Sequence, residues 1–517
     1  MTYLLALAAG LLTALPLLFD ELFLLPWFSL VPLFCIVKSK RSAYRHGLVF
    51  SLGYYAVLYH WFCFLYPLDF AGFDKTGSIL VVAVAWIGMS LLQGIGTAFV
   101  PFFYRHLTKK RKAIFAPFAA AALWCVMEWL QTQFWFGVPW GRLAVTQYTK
   151  LPLIQSASLV GSLGVGFLMV LVNGFLALAV EEWQKSRSWK QPAALVAALL
   201  FASNLGYGAI ALAIPNEGEN TFVAAAIQGN IASGDKWADD SLATSLAIYT
   251  KLTEQAVEET GASLVVWPET VITTDLSASG SQTRRAIGDL AARVKTHIAV
   301  GAYYTEDGNR YNAIYLFEPD GTVNETVYQK RHLVPFGEYL PMREVIEVVL
   351  PFLADINMLS SDLAQGDSPE LFDSDLGTIG ALVCFDSIYE TLTLDSVRDG
   401  ANLMVLSTND SWYKDSAAVY QHNGHAVLRA VETGRFFVRA ANTGISSIIT
   451  EKGRILSSLD PLVTGYTASE VSTHAHATPY TVIGNLIVWL SFGYITVLAG
   501  LCIRDKIKPK PDMPKKA

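Results

Sequence analysis

The chain has 517 residues and five cysteines. Four of them, Cys35, Cys63, Cys125 and Cys502, lie in or beside long apolar runs, where a thiol is ordinary packing. The fifth, Cys384, ends the apolar run Ile379–Val383 and is followed by Phe385, Asp386 and Ser387 at the start of a helical stretch. A thiol at a strand-to-helix turn is presented to substrate and has helix amides nearby that lower its pKa. A buried strand-end cysteine is the plainer reading of the same position. A free thiol has a pKa of about 8.5 and is mostly protonated at neutral pH, so nucleophilic work needs a base or a cation beside it. Histidine is the usual partner, yet no single one stands out. His422 and His425 recur at helical spacing, His474 and His476 flank the last strand region, and without a cysteine beside them they make a poor zinc set. A carboxylate and an amine stand out instead. Glu269 follows Val265–Val266–Trp267 and Pro268, and Lys330 ends a strand-like run that leads into Val334–Pro335–Phe336–Gly337–Glu338. Taken singly, each reads as surface charge.

These residues can cooperate only if the elements around them converge. Phe222–Gln228, Ser263–Trp267, His297–Tyr304, Asn312–Phe317, Thr322–Gln329, Thr378–Cys384, Leu403–Ser407 and Phe436–Ala440 read as strands. Ser241–Glu259, Ser281–Lys295, Ile388–Arg398 and Ala417–Thr433 carry apolar residues at helical spacing. Alternating strands and helices predict an α/β domain with a buried sheet.

That domain is set in a very different context. Hydrophobic residues make up 52% of the chain and charged residues only 16%, against about 25% charged in ordinary soluble proteins. The missing charge argues against a purely soluble protein, and a disordered one is excluded. Thr221–Pro479 holds 17 Lys/Arg and 33 Asp/Glu, whereas the remainder holds 21 and 11. Net charge −6 gives no reason to expect nucleic acid as a partner.

The apolar remainder contains runs near the roughly 20 residues that span a bilayer: Tyr3–Phe19, Leu22–Val37, Gly47–Tyr66, Ser78–Tyr104, Ala113–Gln133, Ile154–Val180 and Ala193–Ile214, then Tyr480–Ile503 after the acidic stretch. A cleaved signal peptide is a poor reading of the first, because no basic residue precedes it. The expected organisation is seven spanning helices in 1–219, a catalytic domain in 220–479, an eighth helix in 480–503 and a basic tail in 504–517. Basic residues cluster in alternate connections: Lys38 to Arg45, Arg105 to Lys112, Lys185 to Lys190, and the tail from Arg504. The opposite connections carry only Lys75, Arg142 and Lys150. The basic side is cytoplasmic, which places both termini there and the acidic domain outside. Glu128 sits in an apolar run, either as a functional intramembrane carboxylate or at the outer interface. The Trp-, Gly- and Pro-rich connection Gln133–Lys150 reads as an interfacial segment, or more sharply as a lipid-lined groove.

Six segments in order carry a family resemblance: Gln228–Gly229–Asn230 with Lys236–Trp237, Trp267–Pro268–Glu269–Thr270, Lys330 with Pro335–Phe336–Gly337–Glu338, Cys384, Ser407–Thr408–Asn409–Asp410–Ser411–Trp412, and Arg439–Ala440–Ala441–Asn442–Thr443–Gly444. The order Glu269, Lys330, Cys384 resembles the catalytic triad of the nitrilase superfamily. With the added spans, essentially the whole chain is similar to the apolipoprotein N-acyltransferase family. That resemblance implies a multi-span helical membrane domain plus an α/β nitrilase-like α-β-β-α sandwich.

It also implies roles. Cys384 is the nucleophile, Glu269 the general base, and Lys330, with a backbone N–H near Phe385, the oxyanion donor. Glu338, Phe385 and Asp386 support the site, and Trp237, Asn230 and Trp412 belong to the substrate site. The family commonly has Tyr-Glu where this chain has Phe385–Asp386, and Gly137–Gln147 matches its Phe-Pro-Trp pattern only partly. The implied reaction is ping-pong. A phospholipid acylates Cys384, and the resulting thioester is passed to the α-amino group of a diacylglyceryl-cysteine on an apolipoprotein. No cofactor, metal or nucleic acid is expected; the partners are the two lipidic substrates and the bilayer of a bacterial inner membrane, with the catalytic domain periplasmic. The apolar stretch Met342–Met358, with Val345, Val349 and Phe352, is expected to form a lid that dips into the membrane interface, a helix packed on the domain being its plainer reading. A membrane-anchored nitrilase-like amidohydrolase and a catalytically silent lipoprotein-binding scaffold are the alternative readings.

Overall fold

The computed structural model describes all residues except 40–41, 69–71, 135–136, 189–190, 233–240, 350–361 and 508–517. Trp237 and Phe352 therefore lie outside the described residues.

Each expected span has a helical counterpart. Among the described residues six are long and apolar enough to cross a membrane: Asp20–Lys38, Ala43–Leu65, Lys75–Thr108, Ala157–Ser186, Pro192–Ala213 and Leu486–Ile507. Thr2–Leu17 and Phe115–Leu130 are shorter apolar helices. The run expected as one span from Tyr480 is broken. Pro479–Ile483 is a separate short helix, and Gly484, at φ 57°, turns the chain before Leu486. Helix Ala157–Ser186 is interrupted at Gly161, whose φ of 72° is left-handed. A Cβ there would meet the Tyr480 ring at 2.4 Å, so glycine is required by both conformation and space.

The basic connections gather at one end of the bundle. Arg105 donates to the carbonyls of Val37 and Lys38, Lys38 pairs with Glu181, and Arg111 pairs with Asp505 at 2.9 Å. The acidic domain packs at the other end, near the Asp20–Lys150 pair. Ion pairing and carbonyl capping at helix C-termini suit lysine and arginine.

The domain contains thirteen described strands. They are β1 (Thr221–Gln228), β2 (Leu264–Val266), β3 (Ile272–Asp275), β4 (His297–Glu306), β5 (Asn309–Phe317), β6 (Val323–Gln329), β7 (Leu371–Ser374), β8 (Gly377–Val383), β9 (Leu403–Thr408), β10 (Phe437–Ala441), β11 (Ser447–Ile449), β12 (Ile455–Ser458) and β13 (Gly465–Ser472). One sheet runs β13-β1-β2-β4-β5-β6 with β3 beside β4; the other runs β12-β11-β10-β9-β8-β7. The central pairs β1–β2, β2–β4, β8–β9 and β9–β10 are parallel, and their strands are near-continuous apolar runs, as parallel strands covered on both faces must be.

Side-chain alternation divides the core. Ala224, Ala226, Val266, Ile314, Ala381, Val383, Val405 and Val438 meet between the sheets. Ala225, Val265, Ile298 and Val300 face the other way, toward helices Ser241–Thr260 and Gln282–Val294. From the second sheet, Leu382, Met404, Leu406 and Phe437 face a helical layer made by Glu390–Arg398 and Ala417–Thr433. This layer shares one continuous core with the membrane bundle. The result is an α-β-β-α sandwich whose second helical layer is also the floor on which the bundle sits. Gln421–Thr433 is consequently buried throughout, polar residues included. The connection expected to be interfacial is likewise inside: Gly137–Gln147 is buried between the bundle and this layer, because Trp140 donates to Gln421 and Arg142 pairs with Glu390.

Candidate active site

The site forms where strands end. β2 leads through buried Trp267 to Glu269, β6 runs into Lys330, and β8 ends at Val383, one residue before Cys384. Lys330 Nζ lies 3.0 Å from Glu269 Oε1 and 2.9 Å from a carboxylate oxygen of Glu338. Asn312, on β5, donates from Nδ2 to Glu269 Oε1 at 2.7 Å and to Glu338 Oε1 at 2.9 Å. The Asn409 backbone N–H donates to Glu269 Oε2 at 2.9 Å, and the Val334 N–H to Glu338 Oε2 at 2.8 Å. Both carboxylates are thus fixed at each oxygen.

Lys330 is fully enclosed. Burial alone would depress its pKa, but Glu269 and Glu338 outweigh that and hold the ammonium well above its ordinary value.

Cys384 has φ 50°, a left-handed conformation that costs energy for a residue with a Cβ. Such strain, at the junction of β8 and a short helical turn over Cys384–Ile388, turns the thiol out of the strand. Asp386 holds the turn from beneath. Its Oδ2 accepts from the Val383 N–H at 3.0 Å and the Tyr328 hydroxyl at 2.9 Å, and its Oδ1 from the His332 N–H at 2.7 Å. Burial pushes the Asp386 carboxyl up to about 6 and the neighbouring His332 imidazole down to about 4, with Lys330 adding to the latter. Burial, then the Glu269 charge, raises the Cys384 thiol well above its ordinary value; Lys330 and the Thr408 hydroxyl pull the other way.

Phe385 takes no part in hydrogen bonding through its ring. It lies 6.5 Å from Trp140, 5.9 Å from His332 and 5.7 Å from Tyr389. Trp140 in turn packs on Trp61 of the bundle and on Tyr413. An aromatic wall therefore runs from a membrane helix to the residue after the thiol.

The other expected residues are placed as follows. Asn230 sits at the end of β1, its side-chain Nδ2 donating to the Leu462 carbonyl. Through Asn442 and Asn409 it reaches Glu269 rather than opening onto the triad directly. Trp412 is half-buried in the turn Asp410–Tyr413. Val345 is 54% exposed on the helix Arg343–Val349, which includes Val349. Of the intramembrane candidates, Glu128 is buried and its Oε1 accepts from Trp124 and from the Leu143 N–H.

Sequence reasoning gave Asn312 no role and did not foresee that Asp410, His422 and Arg439 would meet in a cluster behind the turn. The available signal for Asn312 was a polar residue at the head of the apolar run Ala313–Phe317. In the cluster, ligand atoms of Cys384, Asp410 and His422 lie within 4.8 Å of one another, close enough to hold a metal ion. Asp410 and His422 are however bonded to each other at 2.8 Å, and Arg439 donates to Asp410 Oδ2 at 2.7 Å. A cation there would face a guanidinium and break an existing pair, so the donor set does not fit one.

Residues 223–477 match the carbon-nitrogen hydrolase family, and residues 9–175 match the apolipoprotein N-acyltransferase N-terminal domain. The chain is 33% identical over 512 residues to the apolipoprotein N-acyltransferase of Geobacter metallireducens, covering 98% of this chain and 96% of that protein. The chain belongs to the apolipoprotein N-acyltransferase family. It is also 31% identical to the Gloeobacter violaceus protein of the same name, over 83% of this chain and 80% of that one. With the Nitrosomonas europaea protein it shares 28% identity over 90% and 89%. Bacterial relatives and six helices fit to cross a bilayer make this family member a bacterial membrane protein.

Proposed function

We propose that the chain transfers an acyl group from a phospholipid to the N-terminal amine of a diacylglyceryl-cysteine on an apolipoprotein, through a thioester on Cys384. Family membership carries the reaction class: the chain is an acyltransferase that completes lipoproteins. The observation that carries the mechanism is Lys330 Nζ between Glu269 and Glu338 at 2.9–3.0 Å, at the same strand ends as the strained Cys384.

The chemistry follows from the charges. Cys384 rests as a thiol, because burial and the Glu269 charge oppose the thiolate. Glu269 takes its proton as sulfur attacks the ester carbonyl. Lys330 and the Phe385 amide meet the developing oxyanion, a stabilisation typically worth about 2.7–4 kcal/mol per donor. As the intermediate collapses, Glu269 hands that proton to the departing oxygen, so lysophospholipid leaves as the alcohol, the thioester remains and Glu269 is again a carboxylate. The acceptor amine then attacks, Glu269 removes its proton, and the thiol returns, which makes the kinetics ping-pong. Glu338 and Asn312 keep Lys330 and Glu269 in register. The aromatic wall through Trp61, Trp140 and Phe385 offers acyl chains a path from bilayer to thiol. Asn230, Trp237 and Trp412 are assigned to the substrate site, and Val345, Val349 and Phe352 to a lid at its membrane side.

The basic end of the bundle is assigned to the cytoplasm. The catalytic domain then faces the periplasm from the inner membrane, between spans in 1–219 and 480–503, with the tail 504–517 inside. The test is product analysis. Purified protein in phospholipid–detergent micelles with a diacylglyceryl peptide should give N-acylated peptide, and Cys384→Ala should give none. Free fatty acid or ammonia without N-acylated peptide overturns the proposal in favour of hydrolysis.

A further inference from the structure

The two sheets also meet at the end of the sandwich opposite the catalytic residues, and the charged group found there has no part in acyl transfer. β4 begins at His297, and β8 begins two residues after Asp375. β8 is seven residues long, which puts this end about 20 Å from Cys384. His297 is 2% exposed. Its Nε2 lies 2.9 Å from Glu318 Oε2, just past the end of β5, and 3.0 Å from Asp375 Oδ1, in the turn between β7 and β8. One carboxylate thus comes from each sheet.

The arrangement around the ring is that of a metal ligand. His297 Nδ1 lies 3.2 Å from the Ser263 carbonyl oxygen. A carbonyl only accepts, so the hydrogen of that contact sits on Nδ1. Metal-binding imidazoles are held in this way through the nitrogen that does not bind the ion. Nε2, in contrast, is buried with no hydrogen-bond partner among the described residues. Glu318 and Asp375 are both close enough, so direction is what fails: Nε2 is aimed at neither oxygen but into the space they flank. The Glu318 carboxylate is oriented as well. Asn324 Nδ2 donates to its Oε1 at 2.9 Å and to the Asp373 carbonyl at 3.0 Å, which leaves Oε2 for the site. The Asp375 side chain is 79% exposed and gives the site an open side for an ion and its waters.

Two carboxylates against one buried imidazole nitrogen call for a cation. A protonated ring would supply one, but its N–H bonds along the ring axis, where neither oxygen lies. An ion bonded at about 2.1 Å to nitrogen and oxygen ligands holds neighbours at right angles about 3.0 Å apart, which matches both separations at Nε2. One nitrogen and two carboxylate oxygens suit a divalent ion such as zinc or manganese. We propose that His297, Glu318 and Asp375 form a divalent-metal site whose ion ties the β4–β5 end of one sheet to the β7–β8 turn of the other. The three residues lie far apart in the chain, so the sequence reads as metal-free.

The probe is zinc alone, on untagged full-length protein in detergent, stripped with EDTA and dialysed. At equal free zinc, elemental analysis should find one more ion per chain in the wild type than in Asp375→Asn. Zinc held elsewhere is common to both proteins and cancels in the difference. Affinity at this site should weaken at least about tenfold in Asp375→Asn and be lost in His297→Gln. Zinc should raise the unfolding temperature of the wild type and raise it less in either variant. If His297→Gln fails to fold, Asp375→Asn, on an exposed turn, carries the test. Equal zinc uptake by wild type and Asp375→Asn, or none by the wild type, overturns the proposal and leaves an ion pair around a protonated His297. Zinc that binds at this site without raising the unfolding temperature overturns the tie between the sheets.

Discussion

Asn312→Asp changes one atom type and inverts the logic of the site. The amide Nδ2 bridges Glu269 and Glu338 at 2.7 and 2.9 Å, while the Asn312 backbone carbonyl accepts from the Lys330 N–H at 2.8 Å. If ionised, the introduced side chain would place a third carboxylate against two others. At an effective dielectric of about 20, each contact at that distance costs about 6 kcal/mol. Lys330 cannot offset three negative charges, so the introduced carboxylate would take up a proton instead. It would then hold one hydrogen where the amide supplied two, and one glutamate would lose a charge-assisted bond worth about 1.5–3 kcal/mol. If that loss falls on the transition state, kcat drops about tenfold to a hundredfold. The assay is initial-rate acyl transfer to a diacylglyceryl peptide at pH 6 and pH 8, with thermal unfolding of the same samples. The deficit should be larger at pH 8, where the introduced carboxyl is under more pressure to ionise. An Asn312→Asp variant with wild-type kcat and unfolding temperature at pH 8 would refute the electrostatic account of the triad.

Three further outcomes are expected. Arg142→Met strands Glu390 in the buried junction between bundle and domain, where Arg142, Glu390, Arg429 and Glu432 are all 0–1% exposed. It should cost about 3–5 kcal/mol, largely recovered in the double variant Arg142→Met/Glu390→Met; equal unfolding temperatures for wild type and single variant would contradict this. The Asp386 carboxyl is raised to about 6 in the folded protein, so its proton is held more tightly folded than unfolded. Its contribution is therefore present below about pH 4 and is lost as pH rises through about 6, some 3 kcal/mol in all. Asp386→Asn should remove that slope from stability measured between pH 4 and 7, and unchanged slopes would count against it. Gly161→Ala forces a Cβ into the Tyr480 ring and a side chain into φ 72°; it should lower stability by about 1–3 kcal/mol, and a variant as stable as the wild type would show that the break in the helix is dispensable.

The parts legible in the sequence are those with a strong local signal. Apolar run length marked the helical segments of the bundle, six of them long enough to cross a membrane among the described residues, and apolar strands such as β1, β4 and β9 were visible as runs. Helix Ala417–Thr433 was readable from its spacing to the residue. Its burial was not, because His422, Arg429 and Glu432 look like a solvated face until the membrane bundle covers them. β13 has few apolar residues and becomes a strand by pairing with β1 along its whole length. The β3, β7, β11 and β12 segments are only three or four residues long and depend on their neighbours in the same way. The connection Gly137–Gln147 carries the composition of a membrane interface, yet its tryptophan and arginine find buried partners on Gln421 and Glu390. Of the site, Glu269, Lys330, Glu338 and Cys384 were marked by strand ends and neighbouring motifs. Asn312 and the Asp410–His422–Arg439 cluster required three-dimensional contacts between segments far apart in the chain.

The central claim is a covalent acyl intermediate on Cys384. Full-length protein incubated with a phospholipid and no acceptor should yield a Cys384 peptide heavier by one acyl chain. Hydroxylamine should reverse the modification, a diacylglyceryl peptide should discharge it, and Cys384→Ala should never carry it. An unmodified Cys384 under conditions where acyl transfer proceeds would contradict the account.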